Sequence, residues 1–266
     1  MATGITLNTT GCDAPTLVEV AQRAEHAGFD SVWCYDHLSG AVLGAEGCLD
    51  VWTVLGAIAA TTERVIIGPL VVNVTTHHPV HIAVAAATLQ SLSGGRLQLG
   101  LGAGASAPSP FAEELTMFHL AQRPAAERRD RVAETIQFLR ALWSGAPSFD
   151  GTWASYSDVK GVSLPAPPCP IIVGANGPRL AELAGHQADG MNLHSWEEDI
   201  PGLVAIARHA AARSGRPDFT VSVEGPLEPD WIDERSPTRR AFSDIGVDDV
   251  MVRWRAGLEL PRIVRA

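Results

Sequence analysis

The sequence of 266 residues has little positive charge and few cysteines. It contains 20 Lys and Arg against 30 Asp and Glu, a formal net charge of −10, and its single lysine is Lys160. A nucleic-acid surface needs clustered positive charge, so this balance argues against nucleic acid as a partner. The four cysteines are widely spaced and form no CxxC or Cys/His cluster, which argues against a zinc motif and a disulfide framework.

Long hydrophobic runs are also lacking. The longest apolar runs, such as residues 65–67 and 70–72, are far too short to span a bilayer. The first residues, MATGITLNTTGCD, are interrupted by polar side chains and do not have the pattern of a signal peptide. With 46% hydrophobic and 19% charged residues, the composition is typical of a globular protein with a large core. We therefore expect a cytoplasmic protein without a membrane partner.

Strand-like and helix-like segments alternate along the chain. The first four predicted strands begin near positions 5, 31, 65 and 97, which is about one βα unit each. Four more are predicted at residues 171–173, 190–193, 220–223 and 250–253. This pattern predicts a single-domain (β/α)8 TIM barrel over residues 1–266, with an insertion of approximately residues 108–168 after strand four and a shortened C-terminal end. An open doubly wound sheet is the alternative, but no GxGxxG follows the first strand.

Barrel sites are built where the strands end, so the residues that follow each predicted strand are the candidates for chemistry. They are Asp36 and His37 after the second strand, Asn73 and the pair His77–His78 after the third, residues 102–106 after the fourth, residues 174–179 after the fifth, and Asn192 and His194 after the sixth.

These candidates have competing interpretations. Residues 174–179 precede a predicted helix, where backbone N–H groups and Arg179 favour a phosphate, but a plain βα turn has the same pattern. His37 is an acid–base candidate or a surface histidine beside a loop-capping Asp36. Adjacent histidines such as His77 and His78 diverge, and no acidic third ligand is evident, so no metal is expected.

Four segments together resemble the bacterial luciferase-like monooxygenase superfamily. They are GFDSVW..DH at residues 28–37, RVIIGPLVVNVTTHHP at 64–79, LSGGRLQLGLGAG at 92–104 and PIIVGANGPRLAELAGHQADGMN at 170–192. The resemblance covers roughly residues 1–215 and implies a (β/α)8 barrel, in agreement with the alternation. Within the superfamily, the sequence is most similar to the branch that uses coenzyme F-420, a 5-deazaflavin.

The resemblance implies a role for particular residues. His37 is the expected proton donor or acceptor, and the Leu70–Val71 peptide bond is expected to be cis behind the cofactor ring. From their places after strands six and four, and not from the resemblance, His194 and the loop that begins at Ser106 are expected to face the substrate. The expected cofactor contacts are Asp36, Leu70, Val71, Asn73, Ala103, Gly104, Gly174, Asn176, Gly177, Arg179 and Leu180.

Two departures from the sugar-phosphate dehydrogenases of that branch narrow the function. Their catalytic Glu after strand four corresponds to Ala105 here, and their phosphate-binding Lys after strand six corresponds to Glu197. This argues against a glucose-6-phosphate dehydrogenase. The leading hypothesis is an F-420-dependent oxidoreductase that transfers a hydride to or from a small-molecule substrate. The alternatives are an FMN-dependent monooxygenase, a non-catalytic cofactor-binding homologue, and a phosphate-handling lyase or isomerase; a homodimer is left open.

Overall fold

Parallel strands and flanking helices make up most of the protein, whose computed structural model describes residues 1–263 and 265. The strands of this described part are β1 (Ala2–Leu7), β2 (Ser31–Cys34), β3 (Ile66–Pro69), β4 (Val72–Asn73), β5 (Leu99–Gly102), β6 (Ser148–Asp150), β7 (Ser155–Ser157), β8 (Ile171–Gly174), β9 (Gly190–His194), β10 (Thr220–Pro226) and β11 (Asp249–Trp254). Its helices are α1 (Ala14–Ala27), α2 (Val51–Thr61), α3 (Pro79–Leu92), α4 (Glu113–Met117), α5 (Ala125–Trp143), α6 (Pro178–Gln187), α7 (Ile200–Arg213), α8 (Pro229–Ile232) and α9 (Pro237–Asp244).

The central sheet is a nearly closed barrel. Its strand order is β3-β2-β1-β11-β10-β9-β8-β5-β4, and every neighbouring pair is parallel. The two end strands are consecutive pieces of one interrupted strand, and a bridge between Ile67 and Leu97 joins β3 to the segment that precedes β5. Counted in this way the barrel has eight strands. The predicted (β/α)8 barrel is confirmed, and the open-sheet alternative is wrong.

Two of the observed strands are interrupted or begin later than predicted. The strand expected at residues 65–72 is interrupted, because β3 ends at Pro69 and β4 begins only at Val72. Proline has no N–H to donate to the ladder, so an interruption at this point is expected on physical grounds. The strand expected from residue 96 begins at Leu99, since Leu97 contributes only the isolated bridge to Ile67.

The core has two layers. The larger one lies between the barrel and its helices, and a smaller cluster of Trp33, Leu70, Ile172 and Met251 is packed separately from it. Trp33 requires a glycine nearby, because a Cβ on Gly68 would lie 2.6 Å from its ring atom Cζ3. The large indole therefore occupies space that the neighbouring strand leaves open.

The insertion and the last strands position the mouth of the barrel. Between β5 and β8 the chain forms α4, α5 and the antiparallel hairpin β6–β7, in the block that the sequence predicts as an insertion. Strand β10 continues to Pro226, three residues beyond its predicted end, and α8 and α9 follow it. Within the described residues 255–263 and 265, no helix follows β11.

Candidate active site

A cavity of about 880 Å³ opens at the C-terminal ends of the barrel strands. This is the end at which (β/α)8 barrels carry their sites. Every residue predicted to act in catalysis or to contact the cofactor or the substrate lines this one cavity, whereas His77 and His78 do not: the lining includes Asp36, His37, Leu70, Val71, Asn73, Ala103, Gly104, Ser106, Gly174, Asn176, Gly177, Arg179, Leu180 and His194. Their roles there remain predictions, but their proximity is a structural fact.

A bulge between β3 and β4 projects into the cavity. The Leu70–Val71 peptide bond at this bulge is cis, as the resemblance predicts. The side chain of Val71 lies against glycines of two neighbouring strands. A Cβ on Gly102 would lie 2.3 Å from Val71 Cγ2, and one on Gly174 would lie 3.2 Å from the same atom. The absence of side chains at these two positions therefore lets Val71 lie close to the backbone of β5 and β8.

The N-terminus of α6 borders the cavity without a capping side chain. Gly177 occupies the N-cap position and makes no side-chain hydrogen bond, and Pro178 follows at the start of the helix. The first free N–H groups therefore remain available, and the helix dipole adds partial positive charge there. Arg179 is exposed in the same turn and has no ion pair with any residue that the structure describes. This arrangement suits a phosphate.

Asp36 holds the loop after β4 rather than the ring of His37. Its Oδ2 accepts a hydrogen bond from the backbone N–H of Asn73 at 3.0 Å and lies 3.5 Å from Nδ1 of His77. Burial raises the pKa of Asp36, although the neighbouring His77 opposes the shift. The two adjacent side chains Asp36 and His37 therefore have different partners, and Asp36 makes no hydrogen bond to His37.

His37 is paired with a residue of the insertion. Its Nδ1 lies 3.5 Å from Oε1 of Glu114, and its ring stacks on Phe111 at a centroid distance of 5.4 Å. The other carboxylate oxygen of Glu114 accepts the backbone N–H of Leu38 at 2.8 Å. Burial by itself raises the pKa of Glu114, but His37 and these N–H groups hold it below the ordinary glutamate value. Glu114 is therefore an anion that fixes the loop around His37.

The loop after β5 is supported by α5. Arg128 donates hydrogen bonds to the carbonyl oxygens of Ala103 and Gly104, and Ser106 is exposed at the rim of the cavity. Gly104 has a φ of 72°, and a Cβ there would lie 2.6 Å from Oδ1 of Asn73. Only a glycine thus lets this loop approach the end of β4.

A second histidine, His194, lies at the end of β9, which three strands separate from β2 in the barrel. Nδ1 of His194 lies 2.8 Å from Oε2 of Glu224, a carboxylate with no exposed surface, and Tyr35 donates its hydroxyl to the other oxygen. Trp196 stacks on the His194 ring at 4.1 Å, and the Arg253 guanidinium lies 4.6 Å from the Trp196 ring.

Sequence reasoning missed the partners of both histidines. One signal was present for Glu224: Ser222 is predicted within the seventh strand, and alternation places residue 224 on the same face two positions later. Nothing local marks Glu114, which lies on a five-residue helix in the insertion.

Two other features, a metal cluster and a membrane-spanning helix, are missing from the described part of the chain. Residues 1–263 and 265 contain no group of three or more His, Cys, Asp or Glu side chains placed to hold a metal ion. His77 contacts Asp36, and His78 instead caps α3 by accepting the N–H of Val80. None of the described helices combines the length and the hydropathy needed to cross a membrane.

Fold and cavity together define a (β/α)8 barrel with a ligand site at the C-terminal ends of its strands. A family model described as luciferase-like monooxygenase matches residues 2–230, and the chain belongs to this family.

Relatives of known activity are dehydrogenases. An F-420-dependent hydroxymycolic acid dehydrogenase of Mycobacterium tuberculosis is 33% identical over 227 residues, which are 85% of this chain and 61% of that protein. An F-420-dependent glucose-6-phosphate dehydrogenase of Microbacterium testaceum is 37% identical over 261 residues, with 92% of this chain and 76% of the relative covered. The chain thus spans less than two thirds of the length of the first of these relatives.

A solved structure shares the fold. An F-420-dependent secondary alcohol dehydrogenase, in complex with an F-420–acetone adduct, superimposes with a TM-score of 0.79. The match covers 95% of this chain and 92% of the other, at 18% sequence identity. At this identity the likeness concerns the barrel architecture alone.

Proposed function

We propose that the protein is an F-420-dependent oxidoreductase that transfers a hydride between the deazaflavin and a C–OH or C=O carbon of a small organic substrate. The observation that carries the proposal is the cavity, which brings the Val71 bulge and the uncapped N-terminus of α6 into one site. An apolar surface and a phosphate site are the two features that a phosphorylated tricyclic cofactor requires.

The residues present fit such a cofactor. The α6 N–H groups and Arg179 would hold the phosphate, and Val71 would support the ring, with Asn73, Ala103 and Gly104 at its edge. The volume of about 880 Å³ is within the range of cofactor pockets, roughly 300–1,000 Å³. When bound, a deazaflavin supplies hydride transfer at its C5.

His37 is proposed to give or take a proton. Hydride transfer to or from a carbonyl carbon changes the charge on the substrate or the cofactor, so a proton has to move as well. An imidazole at the cavity wall is suited to this, and Glu114 and Phe111 restrict its orientation. His194 and Ser106 are proposed to face the substrate.

The substrate is proposed to be an alcohol or ketone other than a sugar phosphate. The relatives are dehydrogenases of hydroxymycolic acid and of glucose-6-phosphate, and both of these substrates carry hydroxyl groups. The sugar-phosphate dehydrogenases that the sequence resembles have a catalytic Glu and a phosphate-binding Lys at two positions where this chain has Ala105 and Glu197, so it lacks both of these groups. Cytoplasmic location and a homodimer stay predictions.

The experiment is to mix the purified protein with coenzyme F-420 and, separately, with FMN, and to measure each dissociation constant by fluorescence. Isopropanol, cyclohexanol and benzhydrol are then offered, and reduction of the cofactor is followed by absorbance. We expect F-420 to bind and at least one alcohol to reduce it. Binding of FMN alone would favour the monooxygenase, and F-420 binding without turnover would favour a non-catalytic homologue.

A further inference from the structure

On the wall of the cavity opposite the end of β2, His194 belongs to a hydrogen-bonded cluster whose other members have no role in the proposed function. Strand β9, which ends at His194, and strand β2, which precedes His37, are separated by three strands in either direction around the barrel. Glu224 lies behind His194 on the neighbouring strand β10 and has no exposed surface. Its carboxylate contacts His194 Nδ1 at 2.8 Å, the Tyr35 hydroxyl and, at 3.9 Å, Nη1 of Arg253.

The contacts of Glu224 determine which nitrogen of His194 is free. Burial, and then the neighbouring Glu224, raise the pKa of Tyr35 well above its usual value, so Tyr35 keeps its proton and donates it to the carboxylate. A carboxylate only accepts hydrogen bonds, so Nδ1 of His194 must carry the hydrogen in its contact with Glu224. Nε2 is then the remaining nitrogen, and it makes no hydrogen bond to any residue among 1–263 and 265.

A stacking contact also restricts the ring of His194. Trp196 stacks on it with an interplanar angle of 13°, and Arg253 lies over Trp196 in turn. The side chain of His194 keeps 25% of its surface exposed and lines the cavity. An imidazole in the cavity wall that is fixed at Nδ1 and on its face, and whose Nε2 has no partner among the described residues, has the arrangement of an acid–base residue.

We propose that His194 is the residue that exchanges the proton of the substrate oxygen, and that Glu224 and Tyr35 are its positioning residues. The proposal rests on the proposed function. In the oxidation of an alcohol, the C–H bond breaks and its hydride passes to the deazaflavin, which is reduced. The O–H bond breaks and its proton passes to Nε2 of His194, and the C=O bond forms on the oxidised substrate. His37, on the opposite wall, would then give a proton to the reduced deazaflavin.

The first test uses the protein without cofactor or substrate. Proton–nitrogen NMR of the imidazoles, assigned by comparison with His194→Gln, should show the Nδ1–H form of His194 with slow exchange against water. Glu224→Gln should accelerate that exchange by about tenfold, since the charge-assisted contact is lost. Tyr35→Phe, which keeps the ring and removes only the hydroxyl, should have a smaller effect in the same direction. An Nε2–H form in the unchanged protein would overturn the proposal.

The second test uses the protein with coenzyme F-420 and isopropanol, cyclohexanol and benzhydrol. His194→Gln should lower kcat by about 100-fold, while KM and the F-420 dissociation constant stay within about threefold. Added imidazole should restore part of the activity of His194→Ala. Glu224→Gln should lower kcat by at least about tenfold and change the solvent deuterium isotope effect. The matched controls are His209→Gln and Glu19→Gln, both exposed on outer helices, which should behave as the unchanged protein.

The outcomes separate the two proposals. Full turnover by a folded His194→Gln variant would overturn the role of His194 and leave the proposed function intact. Loss of F-420 binding in that variant would make His194 a cofactor-binding residue and would also overturn the role. If the unchanged protein binds F-420 but oxidises none of the three alcohols, the proposed function fails, and the assignment of the substrate proton fails with it.

Discussion

Oε1 of Glu114 lies 3.5 Å from Nδ1 of His37, which places a carboxylate of the insertion beside a histidine at the end of β2. Phe111, from the same insertion, stacks on the His37 ring. The segment between β5 and β8 thus completes the wall of the site as well as covering the barrel. Two variants test the pair.

His37→Ala is expected to lower kcat by at least about 100-fold and to leave F-420 affinity within a few-fold, because a positioned proton donor is lost while the phosphate and ring contacts remain. Glu114→Gln should lower kcat less, since the imidazole stays but its orientation is less restricted. Steady-state kinetics and cofactor titration measure both. Unchanged turnover in His37→Ala would show that His37 is a rim histidine with no part in proton transfer.

Arg179→Ala should weaken binding of coenzyme F-420 at low ionic strength, by about tenfold for the loss of one charge-assisted contact. The difference between variant and unchanged protein should shrink as salt is added, since exposed charges are screened beyond a Debye length of about 8–10 Å at physiological salt. Fluorescence titration at several salt concentrations measures this. Arg23→Ala, on the outer helix α1, is the control and should have no effect. An unchanged dissociation constant for Arg179→Ala at low salt would mean that Arg179 does not bind the cofactor and that residues 174–179 are only a turn.

Gly102→Ala should displace the Val71 bulge, because the added Cβ would lie 2.3 Å from Val71 Cγ2. Valine is stiff at χ1, so the backbone of the bulge has to move. We expect F-420 affinity to fall by at least about tenfold and thermal stability to drop. Gly56→Ala is the matched control, since nothing lies within 4 Å of its added Cβ and it sits within α2. That substitution should raise the unfolding free energy by about 0.5–1 kcal/mol without changing affinity.

Glu25→Gln tests a buried carboxylate away from the cavity. Glu25 accepts the backbone N–H groups of Glu63, Arg64 and Val65 at 2.6–3.2 Å. Burial by itself raises the pKa of Glu25, but these hydrogen bonds hold it below the ordinary glutamate value. A lowered folded-state pKa stabilises the fold above the unfolded-state pKa, and this stabilisation disappears as pH falls through the folded-state value.

The variant should therefore lose about 2 kcal/mol of unfolding free energy near neutral pH, the value of a hydrogen-bonded charge. Its deficit should narrow as the pH falls through the lowered folded-state pKa of Glu25, because the carboxylate of the unchanged protein is then itself protonated. Urea unfolding across pH measures both. Glu19→Gln, exposed on the same helix, should stay within about 0.5 kcal/mol of the unchanged protein at every pH. A pH-independent deficit for Glu25→Gln would mean that packing, and not charge, is responsible.

The sequence by itself determined the barrel and the edge at which its site lies. Periodicity is a local property, so alternating strands and helices are visible in the chain, and the ends of parallel strands must meet at one mouth. Asp36, His37, Asn73 and Arg179 each follow directly after a strand or open a helix, and all four line the cavity.

Only the tertiary structure decided the partners of these side chains. Glu114 reaches His37 from a short helix within a long insertion, and Glu224 meets Tyr35 across the barrel mouth. Asp36 turns away from its neighbour His37 toward Asn73 and His77. Such pairings depend on how segments distant in the chain pack around a closed sheet. A hydrogen bond requires placement to within a few tenths of an ångström, which residue type and local spacing do not encode.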